Sequence, residues 1–247
     1  MQQPGAAEPR PERTPWGPWA SLGLTYIAAV LPSIALAAPM ASVSIGRMLK
    51  PESTANDLAA NTMTQVLRVA GPILTVGLLM LFVRGRRGWT IDQYLALEPV
   101  RTGTVIWWTL GGMALQQVVL LAFELAGHNM FPAMIPVPYA PPWVLVLYLG
   151  CMTLVNMAAE ESLIRGFLQR GLENTKLSAV TIAFITAGIW TYMRFPGSLS
   201  IGMYYLGLGV MLSLVRSKTQ SLWPCLAIQA VGGVSLVVRG VWHLTLG

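Results

Sequence analysis

Charged residues are scarce in this sequence. Asp, Glu, Lys and Arg together make up 11% of its 247 residues, whereas an ordinary soluble domain carries about 25%. Apolar residues account for 54% of the chain, and the mean hydropathy is +0.58. This composition excludes an ordinary soluble domain and predicts an integral membrane protein.

Histidine and cysteine, which are frequent metal ligands, are scarce too. Cys151 and Cys225 both lie within apolar runs, where we expect buried thiols rather than a disulfide or a metal site. The histidines are His128 and His243. We expect His243, four residues from the C-terminus, to be an ordinary interfacial histidine. The sequence therefore predicts no metal site and no cofactor.

The formal net charge of +6 could indicate binding to nucleic acid. However, the sixteen Lys and Arg residues fall in short loops between apolar runs, and this pattern is typical of membrane topology. Eleven of them lie in the N-terminal tail and in alternate loops, on one side of the predicted membrane. The positive-inside rule places that side and the N-terminus in the cytosol. We expect no nucleic-acid partner.

Apolar stretches divide the chain, and each predicts a membrane-spanning helix. They cover residues 16–45, 69–83, 105–126, 143–159, 177–193, 199–215 and 222–238. The fold class that they predict is all-α, a polytopic transmembrane bundle of about seven spans. The polar, proline-rich residues 1–15 predict a disordered cytosolic tail. Residues 127–141 hold several prolines and no Lys or Arg, which predicts an irregular external loop.

A pair of adjacent glutamates follows directly on one of these apolar stretches, in the sequence AAEESLIRGFLQRGLE at residues 158–173. A carboxylate at membrane depth is costly, so it usually has a partner and often marks a functional site. Arg165 lies four residues after Glu161, on the same helical face. Glu160, Glu161 and Arg165 therefore form a candidate site. The structural alternative is an ion-paired helix end that fixes two helices at the cytosolic interface.

A second polar set lies on the third predicted span and consists of Gln116, Gln117 and Glu124. Hydrogen bonds between helices are the simplest explanation of these side chains. They also leave open a different class of function, a small-molecule transporter or a lipid-binding protein.

The glutamate pair and its continuation carry a family resemblance. NMAAEESLIRGFLQRGLE resembles the EExxxR motif of the CAAX-protease and bacteriocin-processing (CPBP, or Abi) family, and Glu160, Glu161 and Arg165 match it residue by residue. The later stretch LGLGVMLSLVRSKTQSLWPCLAIQA is similar to the last two core helices of that family. The resemblance covers about residues 142–235. It implies a CPBP-like helical core at 142–247, preceded by N-terminal transmembrane helices and the external loop at 16–141.

Members of that family are intramembrane endopeptidases, in which a glutamate and two histidines are thought to activate a water. The histidines come from two further motifs, FxxxH and HxxxN, and this chain departs from both. Met193 stands at the first histidine position, Gln229 at the second, and Gly233 at the asparagine position. A thioether and an amide cannot carry a proton at neutral pH, and glycine has no side chain. The resemblance therefore predicts a remnant first motif and no catalytic residues.

We expect a catalytically inactive CPBP-like protein that serves as an accessory, assembly or stabilising subunit of a larger membrane protein complex. Its expected partners are other integral membrane proteins, reached through helix surfaces and the 127–141 loop, and the lipid bilayer. The expected location is the bacterial cytoplasmic membrane. The alternative is an active intramembrane endopeptidase, similar to CAAX prenyl proteases, that uses Glu160 with Gln229.

Overall fold

The computed structural model describes residues 15–32, 54–127, 142–194 and 198–246, and all regular secondary structure in these ranges is helical. The α-helices are α1 (Pro18–Pro32), α2 (Thr54–Gly85), α3 (Ile91–Tyr94), α4 (Thr102–Leu125), α5 (Pro142–Glu161), α6 (Gln169–Glu173), α7 (Ala179–Met193), α8 (Leu199–Thr219) and α9 (Trp223–Leu246). A π-helix, Ser162–Leu168, joins α5 to α6. The predicted tail and external loop lie outside the described residues, except for residues 15 and 127.

Two described helices, α4 and α8, are long and apolar enough to cross a membrane by length and composition. Shorter apolar helices occur at Pro18–Pro32, Val69–Gly85 and Ala179–Met193. Each of the seven apolar stretches of the sequence overlaps one helix of the structure. The predicted fold class, an all-α helical membrane bundle, is confirmed.

The helices pack in a bundle in which α5 contacts α2 and α9, α4 contacts α9, and α7 lies along α8. The pair α7 and α8 meets closely at Gly209. A Cβ atom added there would lie 2.9 Å from Ala187 Cβ and 3.1 Å from Trp190 Cε3. Small residues at such a crossing let two helix backbones approach in a membrane, where packing rather than water drives association.

Residues 142–173 are helical without a break, because α5, the π-helix and α6 follow directly on one another. The junction residues Glu161 and Leu168 both keep right-handed helical backbone angles, with φ of −64° at each. The α-helix α5 ends at Glu161, as the structural alternative for the glutamates expects, but twelve more π- and α-helical residues follow without a break. The π-helical segment is buried from Leu163 to Leu168. Such wide turns are rare and occur often at functional sites.

The helices α2, α6 and α8 finish at one end of the bundle, where α4, α7 and α9 begin. We call it the basic end, after its cationic residues Arg84, Arg86, Arg87, Arg101, Arg170, Lys176, Arg216 and Lys218. Here the segment after α3 supports the start of α9: Leu222 N donates to Ala96 O at 2.8 Å, and Trp223 Nε1 donates to Leu97 O at 2.8 Å.

The start of α1 is fixed at the same end by aromatic side chains. Trp16 donates from its backbone N to Tyr94 Oη at 3.1 Å and from Nε1 to Phe82 O at 3.2 Å. The Tyr94 ring packs 5.2 Å from the Phe167 ring of the π-helix. Burial raises the pKa of the Tyr94 hydroxyl above its ordinary value, so the hydroxyl stays protonated.

Candidate functional site

Glu161 is fully buried at the centre of the bundle. Its Oε1 accepts one hydrogen bond from Arg165 Nη1 at 3.0 Å and another from Gln229 Nε2 at 3.1 Å. The Glu161–Arg165 pair expected from the spacing is therefore present. Gln229, at the second histidine position, contacts this carboxylate and not that of Glu160. Because Gln229 lies on α9, the contact links α5 to α9.

Arg165 extends the same network to two more helices. Its side chain is fully buried, and Nη2 lies 3.4 Å from the backbone oxygen of Gly209 on α8. The guanidinium also lies over the ring of Trp190 on α7, 4.5 Å from the ring centroid. A cation over a tryptophan face is attracted by the negative face of the ring. The first motif thus connects the π-helix to α5, α7, α8 and α9.

Glu160 lies in a different environment from its neighbour. Its Oε2 accepts a hydrogen bond from Trp190 Nε1 at 2.9 Å and forms an ion pair with Arg194 Nη2. The Arg194 guanidinium lies 4.7 Å from the Trp190 ring centroid and 4.8 Å from that of Tyr205. Arg194 was not among the candidate residues predicted from the sequence. Its position directly after Met193, at the first histidine position of the family, could have indicated it.

A cavity of about 320 Å³ opens beside Glu160. Its lining comes from α1, α2, α5, the π-helix and α7, and consists of Ala29, Pro32, Gly71, Pro72, Thr75, Asn156, Ala159, Glu160, Leu163 and Met193. The thioether residue at the first histidine position therefore borders the same space as the motif carboxylate. Glu160 is the one lining residue with a carboxylate side chain.

The asparagine position of the third motif, Gly233, has no free space around it. A Cβ atom added there would lie 2.7 Å from Met157 Sδ and 2.7 Å from Thr153 Cγ2. These distances are shorter than van der Waals contact, so an asparagine would require Met157 to move. The volume that the motif amide would need is taken by a side chain of α5.

The other candidate ligands are placed as follows. Cys225 is buried as expected, but Cys151 is exposed on α5, which corrects the expectation of two buried thiols. His128 lies outside the described residues, and His243 follows Gln229 by fourteen positions on α9, about 21 Å along a helix axis. Among the described residues, no group of three or more His, Cys, Asp or Glu side chains could hold a metal ion.

The second polar set links α4 to its neighbours. Gln116 Nε2 donates to Tyr204 Oη on α8 at 2.7 Å, which is the interhelical hydrogen bond that the sequence predicts. The same amide packs on Gly232 of α9, where an added Cβ atom would lie 3.0 Å from Nε2. Gln116 is 6% exposed. These contacts show that Gln116 packs α4 against α8 and α9.

Comparison with known protein families agrees with this architecture. Residues 141–235 match the family model described as Rce1-like, type II CAAX prenyl endopeptidase Rce1-like. These residues therefore carry a CAAX-protease-like core, and the family predicted from the glutamate motif is confirmed. This part of the chain is similar to a CAAX prenyl endopeptidase, and α4 and α8 are long and apolar enough to cross a membrane. No curated protein matches the chain, and no solved structure matches it.

Proposed function

We propose that this protein is a catalytically inactive CAAX protease-like membrane protein that acts as an accessory, assembly or stabilising subunit of a larger membrane complex. The observation that supports the proposal most directly is the environment of Glu160. Its carboxylate is bound by Arg194 and Trp190, and Met193 faces the adjoining cavity in place of a histidine.

Peptide hydrolysis by a general base requires a second group that gives a proton to the leaving amine or stabilises the developing oxyanion. Met193 can do neither, because a thioether is only a weak acceptor. Gln229 cannot transfer a proton, and one N–H of its Nε2 already donates to Glu161 Oε1. Loss of one such group typically lowers a rate by about two to four powers of ten. Several losses in one site favour an inactive protein.

The remaining part of the motif has a structural use. Glu161, Arg165 and Gln229 join α5 and the π-helix to α8 and α9 through buried hydrogen bonds. Breaking a buried ion pair by removing one partner costs about 3–5 kcal/mol, so these residues would be retained without catalysis. The described helices expose many large apolar side chains, which suits them to binding other membrane proteins and lipid. We propose these as the partners, together with contacts through the 127–141 loop.

One observation favours the alternative, an active endopeptidase. Glu160 borders the cavity, and only its Oε2 is hydrogen-bonded among the described contacts. Its Oε1 could therefore hold a water. Such an enzyme would rely on Glu160 with Asn156 or Thr75 rather than with Gln229, since Gln229 contacts the other glutamate.

We propose further that the basic end lies in the cytosol, with the N-terminus, in a bacterial cytoplasmic membrane. The excess of Lys and Arg at that end supports this orientation.

The test is gentle detergent extraction from cells followed by native mass analysis of wild type and Glu160→Gln. Both proteins are expected to travel in the same large assembly with the same stoichiometry. A wild-type protein that runs alone, together with a Glu160→Gln variant that stops the processing of a membrane peptide, would overturn the proposal. Arg87→Gln, which changes an exposed residue at the basic end, serves as the control for losses during extraction.

A further inference from the structure

A second arginine, separate from the glutamate motif, is buried without adequate partners. Arg216 lies in the last turn of α8 and is 0% exposed. Its Nε, Nη1 and Nη2 atoms make no hydrogen bond with any described residue. The nearest carboxylate oxygen is Glu173 Oε2, 3.8 Å from Nη2, which is too long for a hydrogen bond. A fully buried guanidinium in this state requires an explanation.

The charges around Arg216 do not balance. The carboxylate of Glu173 also pairs with Arg170 Nη1 at 3.5 Å, so it serves two guanidinium groups. The nearby Gln169 side chain donates to Ser213 O and Ser217 Oγ, each at 3.0 Å, and brings no charge. Water could satisfy the hydrogen bonds of Arg216, but it would leave one positive charge uncompensated in a poorly solvated place. Such a charge is costly unless an anion accompanies it.

The surroundings favour an anion over a neutral partner. The basic end carries eight Lys and Arg residues, and the described acidic residues at that end are Asp92, Glu98 and Glu173. The resulting positive field raises the local concentration of anions. Guanidinium groups bind phosphate in a planar, two-pronged geometry that an ammonium group cannot provide. Three unpartnered nitrogens on one buried guanidinium are suited to that geometry.

We propose that Arg216 and Arg170 together bind a phosphate-class anion at the basic end of the bundle. Glu173 is 21% exposed and holds both arginines only by long contacts, so it can turn outward when the anion enters. Arg170 is 27% exposed and supplies the approach from the surface. The phosphate comes either from a phospholipid headgroup or from solution, and the chemistry of the site is the same for both. This site does not depend on whether Glu160 is catalytic.

The test uses the purified full chain in dodecyl maltoside micelles, which contain no phosphate, and measures the midpoint of thermal unfolding. One arm compares these micelles with mixed micelles that also contain phosphatidylglycerol. The other arm titrates inorganic phosphate into the dodecyl maltoside micelles, with potassium chloride at matched ionic strength as the reference. We expect wild type to gain roughly 5 °C near saturation in at least one arm. A gain in the first arm alone assigns the site to a lipid headgroup, and a gain in the second alone assigns it to free phosphate.

Four variants make the assignment specific. Arg216→Met should lose the anion-dependent gain, whereas Lys218→Gln should keep it, because Lys218 is exposed and its loss removes the same charge from the same end. Glu173→Gln should strengthen the anion effect, since it removes the competing carboxylate. If Arg216→Met does not fold, Arg170→Gln provides the same comparison at a partly exposed position.

Two results would overturn the proposal. The first is a wild-type midpoint that neither anion changes. The second is an equal gain in wild type, Arg216→Met and Arg170→Gln, because this would show a general response to anions and not a site.

Discussion

Glu160 and Glu161 are adjacent in the sequence, yet their carboxylates bind different partners on different helices. Glu160 Oε2 accepts from Trp190 Nε1 on α7 at 2.9 Å, whereas Glu161 Oε1 accepts from Gln229 Nε2 on α9 at 3.1 Å. Glu160 is 28% exposed at its side chain and Glu161 is fully buried. The two glutamates therefore have separable roles, one at a cavity and one inside the bundle.

The first prediction separates these roles by stability. Glu161→Gln leaves Arg165 buried without a counter-charge and should lower the free energy of unfolding by about 3–5 kcal/mol. Glu160→Gln should cost at most about 1 kcal/mol, because that pair is partly exposed to solvent. Both free energies of unfolding are measured by adding increasing amounts of a denaturing detergent to the protein in mixed micelles. Equal losses in the two variants would contradict the assignment of Glu161 as the structural residue.

The second prediction concerns Gly233, where the motif asparagine is absent. Gly233→Ala should destabilise the bundle by about 1–3 kcal/mol through overpacking, because Met157 Sδ and Thr153 Cγ2 occupy the space. Met157→Ala in the same chain should recover part of this loss. A double-mutant cycle in the same unfolding assay reports the coupling. Strictly additive effects would show that Met157 does not fill this position.

The third prediction tests the close approach of α7 and α8. Gly209→Ala should destabilise the protein, since the new methyl group would lie 2.9 Å from Ala187 Cβ. Gly207 is a matched control on the same helix, with nothing within 4 Å of an added Cβ atom. Gly207→Ala should be neutral or slightly stabilising, because alanine is a better helix former by about 1 kcal/mol. Similar thermal midpoints for the two variants would refute a tight crossing at Gly209.

Local sequence patterns predict part of this structure well. The apolar runs place the helices, because lipid requires long segments with internally satisfied backbones. The pairing of Glu161 with Arg165 follows from a spacing of one helical turn. The family and the location of its core follow from the short stretch around these two residues, and the match at residues 141–235 agrees.

Contacts between helices could not be predicted in the same way. Arg194 lies 34 positions after Glu160, and Gln229 lies 68 positions after Glu161. Which carboxylate each one meets depends on the rotation and depth of whole helices, and no local pattern determines those. The occupation of the Gly233 space by Met157 is of the same kind, since it depends on how α5 packs against α9.

A cleavage assay with purified protein tests most directly whether Glu160 has a catalytic role. Wild type and Glu160→Gln are reconstituted side by side and incubated with prenylated and unmodified membrane peptides, and products are counted by mass spectrometry. Both proteins are expected to give the same background of products. Cleavage by wild type that the Glu160→Gln variant lacks would contradict this expectation and establish an active protease.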